Sequence, residues 1–137
     1  MTNTDVFNAA TMEIFHECSV NFPRSTEIET VALTQVVLEY FEVLEDDSEL
    51  NDLFSEIEET IFSTIVWLKD EGYLKDTWSN DNSFVVVLTQ KGLNAINATP
   101  NVLDKSSSFK DYFIQGLTNL PFTTVSGVMV DFFKSGS

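Results

Sequence analysis

The sequence predicts an α+β chain, mainly α, in which three helices lead into a two-stranded hairpin and a further helical segment. Two patterns carry this reading. Apolar residues recur at helical spacing through three successive stretches of the first seventy positions, and a β-branched run occurs once, at residues 83–88. With 137 residues, 43% of them hydrophobic, and twelve phenylalanines, the chain is long enough to bury one proper core.

The first helix is expected over residues 5–21, where Phe7, Ala10, Ile14 and Cys18 fall on one face. Thr4 or Asp5 can cap its start, and Pro23 lies just beyond its end. FPRSTEIET then carries two signals: Thr26-x-x-Glu29 fits a capping box, and Glu27-Ile28-Glu29 fits a very short strand. Leu33, Val36, Val37, Tyr40, Phe41 and Leu44 make the apolar stripe of a second helix that stops at Glu45-Asp46-Asp47-Ser48. In the third, Leu50, Leu53, Phe54, Ile57, Ile61, Thr64, Ile65 and Leu68 keep helical spacing over five turns. Ser48 or Asp47 is its expected cap and Gly72 its left-handed end. Phe62, Val66 and Trp67 widen its apolar face, so Trp67 and Leu68 are expected to anchor it in the core. Two strands follow, residues 73–78 and 83–88, joined by the turn cluster Ser79-Asn80-Asp81-Asn82. Thr89 caps a short helix through Asn97, which the Ala98-Thr99-Pro100 stop ends.

This order, with two of its phrases, resembles the winged helix-turn-helix domain. Ile65-Val66-Trp67-Leu68-Lys69-Asp70-Glu71-Gly72-Tyr73-Leu74 is similar to a third helix entering the first wing strand. Leu88-Thr89-Gln90-Lys91-Gly92-Leu93 is similar to the exit from a wing into a closing helix. Such phrases resemble winged-helix regulators, the PadR-like group among them, and uncharacterised bacterial winged-helix proteins. The resemblance covers about residues 5–98 and speaks to fold far more than to function. It implies a three-helix core plus a β-hairpin wing over residues 1–100, with residues 101–137 as linker and C-terminal helical extension.

Charge separates this chain from a DNA-binding winged helix. It has 22 acidic and 7 basic residues, a net charge of −15, and residues 1–60 hold 15 acids against Arg24 alone. Such a field repels phosphate and attracts basic surfaces. In the third helix Glu49, Asp52, Glu56, Glu58 and Glu59 all precede the first base, Lys69, where a recognition helix brings Arg, Lys, Asn or Gln to base edges. Lys69, Lys75 and Lys91 can gather near the wing, too few to offset the rest. Direct nucleic-acid binding is therefore not expected. Glu45, Asp46, Asp47, Glu49, Asp52, Glu56 and Glu59 are the candidate surface for a basic protein partner.

Nothing suggests catalysis. His16 is the single histidine and Cys18 the single cysteine, and two positions turn one about 200° from the other on a helix. The acidic run lacks the glycine and alternating oxygens of a calcium loop. No cofactor, no metal and no enzyme activity are expected. The N-terminus reads as no signal peptide, and the expected location is cytoplasmic.

In the tail, Ser108-Phe109-Lys110-Asp111 forms a capping box, Pro121 breaks the helix, and Val125, Val128, Met129 and Phe132 begin a second apolar face. Asp111 and Asp131 bracket 19 uncharged residues, near the length of a membrane span but diluted by polar side chains. Phe109, Tyr112, Phe113, Val125, Met129 and Phe132 are the expected seam of a homodimer. The function expected is protein–protein interaction without catalysis; the alternatives are a dimeric transcriptional regulator and a membrane-associated protein acting through its tail.

Overall fold

Thr2 opens helix α1 (Asn3–Asn21) with a reciprocal cap: its hydroxyl accepts from the Asp5 amide at 3.1 Å, and the Asp5 carboxylate accepts from the Thr2 amide at 2.9 Å. The cap thus lies ahead of Thr4 and Asp5, because the Asp5 carboxylate is spent reaching backward. The structure, a computed structural model, describes residues 1–43, 47–101 and 106–135, and of residues 47, 48 and 135 the backbone alone.

FPRSTEIET resolves as a strand, β1 (Thr26–Glu29), with Thr26 and Ile28 buried and Glu27 and Glu29 exposed. Helix α2 (Thr30–Tyr40) follows with no side-chain cap; a backbone bond instead satisfies its first amide, Thr30 donating to the Asn82 carbonyl at 3.0 Å. Helix α3 (Asp47–Asp70) buries Ile57, Ile61, Thr64, Ile65 and Leu68. The caps expected at Asp47 or Ser48 lie outside the described side chains. Its far end closes as a Schellman motif: Gly72 has φ +85°, Tyr73 donates to Leu68 at 2.9 Å and Gly72 to Lys69 at 3.0 Å.

One expectation here is corrected. Trp67 does not anchor the core: it is 40% exposed, as is Phe62, whereas Leu68 is 0% exposed. The reason is phase. Leu68 lies seven positions beyond Ile61 and returns to its azimuth within about 20°, whereas Trp67 falls about 120° away.

Strands β2 (Leu74–Ser79) and β3 (Ser83–Leu88) form the hairpin, and β1 pairs on the other side of β3, giving an antiparallel sheet of order β1-β3-β2. Central β3 supplies most of the core-facing side through Phe84, Val86 and Leu88, whereas β2 buries only Leu74. Thr89 caps α4 (Gln90–Asn97), accepting from the Gly92 amide at 3.0 Å while its hydroxyl donates to the Gly72 carbonyl. One residue thereby ties the end of α3 to the start of α4.

The tail runs as α5 (Phe109–Phe113), a 3₁₀ turn (Leu117–Asn119) and α6 (Phe122–Ser135). The expected Ser108–Asp111 capping box is present. Its expected role as a dimer seam is corrected: Phe109, Phe113, Val125, Met129 and Phe132 are at most 1% exposed inside this chain's own core, and Tyr112 is half-buried at its edge. Gly116, at φ +84°, and Pro121 cut the segment into short pieces that turn back onto α1. Phe132 sits among the rings of Phe15, Phe109, Phe113 and Tyr73, with centroids 5.2–5.7 Å away. One core therefore runs from Val6 to Phe132, and residue 100 does not separate two cores. No helix among the described residues is long and apolar enough to cross a membrane.

Candidate functional site

Helix α3 extends for 24 residues, about 36 Å. Its Glu49, Asp52, Glu56 and Glu59 are all exposed, and their spacing of three and four sets them along one stripe. Glu58 turns away and accepts from the Thr30 hydroxyl at 3.0 Å. Glu45 and Asp46, also expected on this surface, lie outside the described residues, as does the side chain of Asp47.

The stripe leads into a groove between the start of α1 and α3. Asn3, Glu56, Glu59, Thr60 and Ser63 line an open cleft of about 480 Å³. A neighbouring one of about 370 Å³ shares Asn3, Thr60 and Ser63 and continues over Thr4, Phe7, Thr64 and Trp67. Together they make one groove, anionic at one end and aromatic at the other. Trp67 forms its aromatic lip, edge-on to Phe7 at 5.5 Å and to Phe133 at 5.4 Å. The misplacement of Trp67 in the core concealed this groove at the sequence level.

Among the described basic residues, Lys69 and Lys91 are already engaged within the chain. Lys69 pairs with Asp76 at 2.9 Å and lies over the Phe84 ring. Lys91 donates to the Glu71 carbonyl at 2.6 Å and covers the Tyr73 ring. Lys75 and Arg24 are exposed on different elements, β2 and the turn after α1.

Cys18 is a free thiol, 1% exposed, and burial pushes it up to about 12, which removes the thiolate a nucleophile needs. His16 is half-buried, its Nδ1 lying 2.8 Å from the Phe113 carbonyl of the tail. Glu13, His16 and Glu17 bring ligand-type atoms within 4.8 Å of one another, a constellation set by the Glu-x-x-His-Glu spacing on α1. Burial raises the Glu13 carboxyl from its ordinary value, with His16 opposing and Glu17 adding to the rise.

Comparisons with protein-family models, curated proteins and solved structures find no match for this chain. Function must therefore be argued from the surface itself.

Proposed function

We propose that the chain is a winged-helix domain acting without catalysis, as an interaction module that holds a basic protein surface against α3. The observation that carries this reading is the exposed stripe Glu49, Asp52, Glu56 and Glu59 running into the groove that ends at Trp67. In the element order α1-β1-α2-α3-β2-β3, α3 holds the place of a recognition helix, and here that helix presents carboxylates. The net charge of −15 steers a cationic partner toward this face from a distance. At contact the carboxylates pair with Lys or Arg, and the half-exposed indole offers a face for cation–π contact. The setting proposed is cytoplasmic, supported by a lone cysteine without a partner for a disulfide.

The test uses an amphipathic Lys/Leu helical peptide as probe, with an all-Glu counterpart and duplex DNA beside it, followed by fluorescence anisotropy. The basic peptide should bind, weaken as salt rises from about 0.05 to about 0.3 M, and lose at least tenfold in affinity with Glu56→Gln/Glu59→Gln. Trp67→Ala should weaken it further. Equal binding to wild type and variants would remove α3 from the interface, and submicromolar binding of the DNA would replace this reading with that of a regulator.

A further inference from the structure

We infer that Glu13, His16 and Glu17, on the solvent-facing side of α1, form a site for one borderline divalent cation, zinc being the ion whose chemistry fits best. This site is separate from the α3 groove and does not depend on the function proposed there.

The three residues stand at i, i+3 and i+4 of one helix, so a single rigid element presents all of them. Their ligand atoms lie within 4.8 Å of one another. Around a tetrahedral ion with bonds of about 2.0–2.2 Å, ligand atoms stand about 3.4 Å apart. One imidazole nitrogen with two carboxylate oxygens is a donor set that suits zinc, with a remaining position left for water.

The setting of the histidine ring is the second, independent observation. A carbonyl oxygen only accepts, so the 2.8 Å contact with Phe113 requires Nδ1 to carry the proton. With Nδ1 so engaged, Nε2 is the ring nitrogen left to meet a metal, and the Nδ1–H···O=C bond fixes the ring's orientation as an outer-shell partner does. The Gly116 Cα lies against this ring so closely that a Cβ there would be 3.3 Å from it. The tail thus packs against the imidazole along Nδ1, Cε1 and Nε2. The Glu13 carboxylate is half-buried beside His16 and Glu17.

Exposed carboxylates attract divalent ions weakly anywhere on a chain this acidic, so controls must carry the distinction. Glu27 and Glu29 share a cleft of about 290 Å³ with Glu13 and Glu17 but are not in the ligand cluster. The experiment titrates zinc chloride alone into the full-length protein by calorimetry, followed in parallel by NMR of the imidazole nitrogens. A single histidine makes that spectrum unambiguous. The expected result is one equivalent of zinc, a shift of the Nε2 resonance with Nδ1 still protonated, and a tenfold or greater loss of affinity in Glu13→Gln and in Glu17→Gln. Glu27→Gln/Glu29→Gln should leave affinity within twofold of wild type, and far-ultraviolet circular dichroism checks that all variants are folded. No saturable equivalent, an unmoved Nε2 resonance, or equal losses in ligand and control variants would each overturn the site.

Discussion

Gly92 holds the junction between sheet and helix by what it lacks. A Cβ there would lie 2.2 Å from the Tyr73 carbonyl oxygen, which already accepts from the Thr89 amide at 3.1 Å and has no room to retreat. Gly92→Ala should therefore cost about 3 kcal/mol, more than an ordinary Gly-to-Ala change in a helix, where alanine is favoured. Urea unfolding checks it; an unchanged midpoint would mean that α4 shifts freely. Trp67 teaches the opposite lesson. Half outside, it should lose only about 1–2 kcal/mol on Trp67→Ala, while Leu68→Ala should lose about 3–4. Paired thermal melts decide between them, and reversed costs would put the indole back in the core. Gly72 and Thr89 were legible in the sequence because each obeys a rule a few residues long. Trp67 was not, because size suggested a burial that helical phase denied.

Among the elements, the three helices and the hairpin were readable from spacing, and so was the acidic stripe of α3, since Glu49, Asp52, Glu56 and Glu59 share one helix. β1 stayed open because four residues are too few for a pattern, and only pairing with β3 makes them a strand. The setting of His16 was hidden for a different reason: its partner, the Phe113 carbonyl, is 97 positions away. Another such long-range tie joins α2 to the tail, where the Tyr40 hydroxyl donates to the Leu120 carbonyl at 2.7 Å. Burial raises this phenol above its ordinary value of 10.0. An acid with a raised folded value releases its proton first in the unfolded chain, so stability is full below about pH 10 and falls as pH climbs toward the folded value. Tyr40→Phe should cost about 1 kcal/mol at pH 8, and less above pH 10, where wild type has lost part of its advantage. Urea midpoints across that range would show it; parallel curves for the two proteins would mean that the bond contributes nothing.

For the molecule as a whole, the question is whether the first hundred residues can stand alone. The resemblance of residues 5–98 to a self-contained winged helix says they can. The packing says otherwise. Among the largest side chains buried to less than 2% exposure, Phe109, Phe113, Leu117 and Phe132 all come from the tail. Phe15, at the centre of α1, meets Phe113 at 5.2 Å and Phe132 at 5.3 Å, so removing the tail exposes the middle of the first helix. A buried aromatic lost from a core costs about 3–5 kcal/mol, and a domain of this size has only about 5–15 kcal/mol to lose. Three such rings lie beyond residue 101, together with Val125, Val128 and Met129. Self-repulsion works in the same direction, because residues 1–60 carry 15 acids and one base, and a weakened core has less with which to hold them together. Truncation after Asn101 should therefore abolish the cooperative urea transition and the near-ultraviolet circular dichroism of the aromatic cluster, leaving a chain that binds hydrophobic dyes or aggregates. A truncated chain that still unfolds cooperatively would show that α1 and the sheet close over Phe15 unaided, and that α5 and α6 are an addition to a finished domain.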